Sequence, residues 1–179
     1  MGDSLSSAYG IETKKGWVHL LNQRLSNING KYNVINASIS GETTNGGVRR
    51  IKSLLNLHEP QILILALGAN DGLRANIPQY IEKNLDKIII SARESKSLVL
   101  LVGIRLPPNY GATYNNAFQA IYPRLAERHS VSLIPFLLKN IAEFDTLMQA
   151  DRFHPNASAQ SHILENVWPS VLQLIQTSL

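Results

Sequence analysis

Four short stretches of this 179-residue chain carry side chains that could act together on a carbonyl group. Turning a hydroxyl into a nucleophile takes a base for its proton, a group that orients the base, and donors for the developing oxyanion. Ser4 in "MGDSLSS" supplies the hydroxyl, and Gly2 permits a tight turn beside it. In "DRFHP", Asp151 precedes His154 by three residues, so its carboxylate can reach the Nδ1–H of the imidazole within one turn and leave Nε2 to face Ser4. Pro155 and Asn156 suit a helix entry that would hold the histidine at a rigid corner. The Gly41 amide in "SISGET" and the Asn70 side chain in "GAND" are candidate donors for the oxyanion, along with the Ser4 amide. Glycine at 41 keeps a side chain out of the path of a substrate.

Read alone, each stretch has an ordinary explanation. Gly-Asp-Ser is common turn chemistry, Asp-x-x-His is commonly a capping pair, and "GAND" is a strand-to-loop turn. "SISGETTNGG" could cradle a phosphate, yet neither G-x-G-x-x-G nor G-x-x-x-x-G-K-[ST] occurs. The combination, in this order and at the ends of strands, is specific.

Short apolar runs at Tyr32–Ser40, Gln61–Gly68, Ser97–Arg105 and Val131–Leu137 predict strands buried on both faces. Helical spacing links Trp17, Leu20, Leu21 and Leu25, then Val48, Ile51, Leu54 and Leu55. It continues in Ile77–Ser95, with Pro78 in the first turn, in Ala117–His129, and from Asn156 onward, where Pro169 is expected to kink or split the helix. Alternating strands and helices predict an α/β fold, a parallel sheet with helices on both faces joined by right-handed crossovers. Ligands then bind beyond the carboxyl ends of the strands, where "SISGETTNGG", "LGANDGL" and "RLPPNYGA" fall.

Composition narrows the class. With no repeat or low-complexity tract, residues 1–179 read as a single domain; 44% hydrophobic and 17% charged residues describe a globular protein. Seventeen Lys and Arg against thirteen Asp and Glu leave +4 without a basic run, which predicts a mixed solvated surface and no nucleic-acid partner. The apolar runs are too short for a transmembrane segment. No signal peptide is visible, since "MGDSLSS" has neither a basic start nor an apolar core. The absence of cysteine excludes disulfides, thiolate metal sites and a Cys nucleophile. His19, His58, His129 and His162 read as structural, and no metal is expected.

The chain resembles the SGNH, or GDSL, hydrolase superfamily through "GDSLSSAYG", "ASISGET", "LGAND" and "DRFHPN". "GWVHLL", "GANDGLR" and "IRLPPNYGATYNNAFQAIYPRLA" resemble in particular its thioesterase I, lysophospholipase L1 and arylesterase subfamily, and the similarity covers nearly the whole chain. The resemblance implies a flavodoxin-like three-layer α/β/α fold, no cofactor, and hydrolysis of small-molecule or lipid esters and thioesters. Carried over by motif, Ser4 is the nucleophile, His154 the base and then the acid, Asp151 the orienting carboxylate, and Gly41 and Asn70 join Ser4 in the oxyanion hole. It also implies a periplasmic or secreted protein, a monomer or weak dimer. Within the superfamily the alternatives are a carbohydrate acetylesterase and an inactive relative or binding module.

Two features depart from the family pattern. Members place an apolar strand before Gly-Asp-Ser; here only Met1 precedes it, so the start reads as truncated or misassigned. The absent strand belongs at the centre of the sheet, between those ending at Ser40 and Gly68, and its absence leaves Ser4 without an evident anchor. Such a gap exposes ladder groups on two neighbours and invites strand donation from another chain. Arg152 stands where relatives have a small residue; its guanidinium either pairs with Asp151 or points to solvent, and solvent is favoured. By the same resemblance Arg105, Leu106 and Tyr110 of "RLPPNYG" are expected to contact substrate, the arginine meeting an anionic head group. Residues 72–78, "GLRANIP", read as a lid, or as a turn stabilised by Asp71.

Overall fold

The computed structural model describes residues 1–29 and 32–177. Three parallel strands, β1 (Ile62–Leu65), β2 (Leu98–Val102) and β3 (Ser132–Ile134), lie in the order β1-β2-β3, with Ile64 opposite Leu100 and Leu101 opposite Leu133. Among the described residues seven α-helices surround them: α1 (Trp17–Asn29), α2 (Thr44–His58), α3 (Ala69–Leu73), α4 (Pro78–Glu94), α5 (Ala112–Gln119), α6 (Ile121–His129) and α7 (Gln160–Thr177). Helices α1 and α7 pack together, as do α2, α4 and α6, and both α4 and α7 touch β2, so the sheet is the middle of three layers. Four consecutive residues of β2, Val99 to Val102, are buried because each face meets a helix.

The helices follow their sequence signals. Thr43 caps α2, its side chain accepting from the Gly46 amide, and Pro78 opens α4. In α4 the buried Ile81, Leu85, Ile88 and Ile89 recur at helical spacing. Burying each of these side chains contributes roughly 1.5–3 kcal/mol. No helix among the described residues is long and apolar enough to cross a membrane.

Two expectations need correction, and one of two alternatives at Pro169 is excluded. Residues 32–39 form no strand, because a strand needs a neighbour; one main-chain bond to the first turn reaches them, from the Ile39 amide to the Gly2 carbonyl at 3.0 Å. The helix expected over Ala117–His129 is part of two helices, α5 and α6, that meet at Ala120. Pro123 has no N–H for the Gln119 carbonyl, and proline is at home in a first helical turn. Pro169 does not split α7, which runs unbroken through it. One lost main-chain bond is outweighed there by the burial of Val167, Val171 and Leu174 along the packed face.

Candidate active site

The amino end is anchored, contrary to expectation. The Met1 amine donates to the Ile64 carbonyl at 2.9 Å, the Ala66 amide donates to the Met1 carbonyl at 3.0 Å, and Gly2 forms a parallel bridge with Ala66. Two residues thus extend the sheet beyond β1. A Cβ on Gly2 would stand 2.8 Å from Ser6 Oγ and 3.1 Å from the Ala66 carbonyl oxygen, so glycine is what lets the chain pass. The turn that follows is wound around Asp3: its carbonyl accepts from the Ser6 and Ser7 amides, and its Oδ1 accepts from the Leu5 amide at 3.0 Å. Trp17 Nε1 donates to the Leu5 carbonyl and Asn36 Nδ2 to that of Ser6, tying the turn to α1 and to the 32–39 stretch.

This anchored turn brings Ser4 to His154. Ser4 Oγ lies 2.8 Å from His154 Nε2, and His154 Nδ1 lies 2.6 Å from Asp151 Oδ2. Asp151 Oδ1 also accepts from the amides of Phe153 and His154, each at 3.0 Å. Desolvation pushes the Asp151 carboxyl up, but the hydrogen bonds from the His154 ring and these two amides outweigh it and hold the group at about 2. The carboxylate is therefore charged throughout the neutral range and can stabilise an imidazolium. The Tyr9 ring packs 4.6 Å from the imidazole, centroid to centroid. Arg152 does not compete for Asp151; it is exposed and faces Asp145 at 3.3 Å.

Ser4 and Gly41 line one cleft, and among the described residues their amides have no acceptor. Gly41 has φ +80°, and open space surrounds the position its Cβ would take, so its amide can turn toward a ligand without strain. Asn70 Nδ2 spends one hydrogen on the Glu42 carbonyl at 3.0 Å and keeps the other. These groups share the wall of a cleft of about 580 Å³ whose remaining lining includes Leu73, Ile104, Leu106, Pro107 and Phe136. Arg105 lies at the cleft with its guanidinium 4.8 Å from the Phe136 ring centre, and the buried Leu106 lines it. Tyr110 stands beside the cleft rather than in its wall, because its hydroxyl donates to the Leu73 carbonyl at 2.8 Å. Residues 72–78 are pinned at several points: Tyr110 holds Leu73, Tyr114 Oη donates to the Asn76 carbonyl at 2.7 Å, and the Asn76 amide donates to that of Asp71. Of the two readings of this segment, the braced turn fits and a loose lid does not.

Polar residues, some of them unmarked by any sequence motif, hold these parts in register. Buried Asp71 accepts from the Thr44 amide at 2.7 Å and from Thr44 Oγ1 at 2.8 Å, and buried Asn84 donates to Thr44 Oγ1 at 3.1 Å. That chain clamps the helix after Gly41 to the turn after Asn70. Gln149 Nε2 donates to the carbonyls of Tyr9 and Pro155, joining the serine turn to the histidine loop. Gln160 Oε1 accepts from the Trp17 amide and Asn156 Oδ1 caps the helical turn entering α7, fixing the far side of that loop. Among the other histidines, His129 pairs with Asp86 at 2.7 Å. No three His, Asp or Glu side chains among the described residues could together hold a metal ion.

Residues 1–161 match the model of the GDSL-like lipase/acylhydrolase family. This chain belongs to that family. With membership comes its chemistry, the hydrolysis of carboxylic esters. Esterase TesA of Pseudomonas aeruginosa is 43% identical over 175 residues, spanning 98% of this chain and 87% of that protein. The thioesterase 1/protease 1/lysophospholipase L1 of Escherichia coli is 42% identical over 165 residues, covering 92% of this chain and 78% of its own. The crystal structure of the psychrotrophic esterase EstA from Pseudoalteromonas, inhibited by monoethylphosphonate, superposes with a TM-score of 0.94 at 36% identity, covering 98% of this chain and 96% of EstA.

Proposed function

We propose that Ser4, His154 and Asp151 form the catalytic triad, and that the enzyme cleaves aryl, short-chain and thioester-linked acyl groups, lysophospholipids included, through an acyl-enzyme. Ser4 Oγ attacks the carbonyl carbon while its proton passes to His154 Nε2, and Asp151 stabilises the resulting imidazolium. The oxyanion sits among the amides of Ser4 and Gly41 and the free hydrogen of Asn70 Nδ2. Collapse of this intermediate breaks the bond to the alcohol or thiol, which leaves with the proton from Nε2. Water then attacks the acyl-serine with His154 again as base, releasing the carboxylic acid and restoring Ser4.

The observation that carries this reading is the relay from Ser4 Oγ through both nitrogens of His154 to Asp151, in bonds of 2.8 and 2.6 Å, at a cleft with two unpaired amides. The leucine, isoleucine, proline and phenylalanine lining of the cleft suits an acyl chain better than a sugar. Arg105 at the rim suits an anionic head group. In keeping with the family resemblance, the reading includes work outside the cytoplasm, in the periplasm or after secretion, which cell fractionation tests. Hydrolysis of p-nitrophenyl esters of increasing chain length, by the enzyme and by Ser4→Ala, tests the chemistry. The expected result is activity extending beyond acetate and lost in the variant. Equal rates for the two proteins would overturn the serine mechanism, and activity confined to acetate would favour a carbohydrate acetylesterase.

A further inference from the structure

Neither the triad nor the oxyanion donors account for Tyr9. Its ring packs 4.6 Å from the His154 imidazole, centroid to centroid, with the two planes tilted by 41°. A ring of this size ordinarily serves a core, yet Tyr9 is 51% exposed and stands outside the core, in the wall of the cleft. Among the described residues its hydroxyl has no hydrogen-bond partner, so the position uses the ring. The backbone holds that ring in place. Tyr9 stands between two residues in the left-handed region, Ala8 at φ +63° and Gly10 at φ +73°, a conformation with a steric cost for alanine. The Tyr9 amide donates to the Ser4 carbonyl at 3.4 Å, and the Tyr9 carbonyl accepts from Gln149 Nε2 at 2.8 Å. Gln149 also donates its own amide to the His154 carbonyl at 2.7 Å. A Cβ on Gly10 would lie 2.2 Å from Gln149 Oε1, so a side chain there would displace the glutamine. One residue thus grips the main chain behind both rings.

We propose that Tyr9 is a positioning residue of the serine mechanism, on which this inference rests: its aromatic ring steadies the imidazole and stabilises the positive charge that His154 acquires with the Ser4 proton. The bonds of Nε2 to Ser4 and Nδ1 to Asp151 lie along the edge of the imidazole and resist tilting weakly. A second ring packed on the first supplies that resistance. The charged groups beside His154 are Asp151, bonded to it, and Asp3, which has no hydrogen bond to it. Tyr9 adds a π system. An aromatic ring attracts a cation within about 6 Å of its centre through its quadrupole. The attraction arises only once the proton has moved, and an interaction stronger in the transition state than in the ground state raises kcat. A plain wall for substrate would need only an apolar side chain, and would give no reason for a left-handed Ala8 or for the grip of Gln149.

The test compares the full chain with Tyr9→Phe, Tyr9→Leu and a protein carrying pentafluorophenylalanine at position 9, a ring of similar shape and opposite quadrupole. Steady-state hydrolysis of p-nitrophenyl butyrate and the proton NMR signals of the His154 ring are followed. Tyr9→Phe is expected to keep kcat within about twofold, because the hydroxyl is unpartnered, whereas the leucine and pentafluorophenylalanine proteins should lose about 3–10-fold in kcat with little change in KM. The ring current of residue 9 should hold the His154 ring protons upfield in the wild type and Tyr9→Phe, and they should move downfield in Tyr9→Leu. Should Tyr9→Leu fail to fold, the phenylalanine and pentafluorophenylalanine proteins still decide the matter. Three results would overturn the proposal: equal kcat for those two proteins, a loss in Tyr9→Leu that falls on KM alone, or His154 ring signals unchanged between Tyr9→Phe and Tyr9→Leu. The NMR comparison is repeated on the Ser4→Ala background and needs no hydrolysis, so failure of the ring contact is separable from failure of the serine mechanism.

Discussion

Replacing Asp3 by asparagine should change how stability depends on pH, by an amount the structure sets. Asp3 is fully buried one residue before the proposed nucleophile, its Oδ1 bonded to the Leu5 amide and its Oδ2 without a partner. Burial, opposed by the Leu5 hydrogen bond and the proximity of His154, pushes its carboxyl from the ordinary 3.8 up to about 6. Because the folded group binds its proton more tightly than the unfolded one, its contribution to stability is greatest below pH 4 and falls as pH rises to 6 and beyond. At about 1.4 kcal/mol per pH unit the loss comes to about 3 kcal/mol. The Met1 amine, pulled down to about 5, acts in the opposite sense between pH 5 and 8, but it does so in both proteins and cancels in their difference. Urea unfolding of the wild type and Asp3→Asn from pH 4 to 8 reads that difference. The wild type should lose about 2.5 kcal/mol relative to the variant between pH 4 and 7. An offset added to this pH-dependent change reports only how well the amide fits, whereas a difference that stays the same from pH 4 to 8 would refute the argument from burial.

The remaining predictions concern the groups around the cleft. Asn70→Ala removes one of three donors and should lower kcat about 10²–10³-fold, or ~3 kcal/mol, with little change in KM; steady-state kinetics on a p-nitrophenyl ester checks this. Asp151→Asn takes the charge from beside His154 Nδ1 and disturbs its tautomer, so kcat should drop by roughly 10⁴-fold while circular dichroism stays that of the wild type. Thr44→Val breaks the clamp to Asp71 and leaves buried Asn84 without its acceptor, which should cost about 1–3 kcal/mol in urea unfolding and lower kcat more than it raises KM.

What could be read from the sequence, and what could not, divides along physical lines. Apolar periodicity is a burial signal, so β1–β3 and the cores of α1, α2 and α4 were readable from it. Periodicity cannot say whether a neighbour is present, and the run at 32–40 has the composition of a strand yet forms none. Pro123 carried a readable signal for the break at Ala120, since its missing N–H is a local property. Of the kink or split expected at Pro169, the split does not occur, because the packing of α7 overrides a local cost. In the cleft, Ser4, Gly41, Asn70, Asp151 and His154 stood out because each sits in a short block of turn-forming residues whose types together suit one reaction. Gln149, Gln160, Thr44 and Asn84 gave no such signal. They are single polar side chains whose partners lie far along the chain, as the 143 residues between Trp17 and Gln160 illustrate. Asp3 stands inside the first block, yet only the fold reveals that its carboxylate is buried with one oxygen unpaired.

The most direct measurement is the site and stoichiometry of covalent trapping. Incubation with a p-nitrophenyl alkylphosphonate, followed by peptide mass spectrometry, should show one phosphonyl group per chain, on Ser4, with hydrolysis lost in step with labelling. The His154→Ala protein should label far more slowly. Full inactivation with the label on another residue, or unchanged turnover by a chain labelled at Ser4, would contradict the proposed role of this serine.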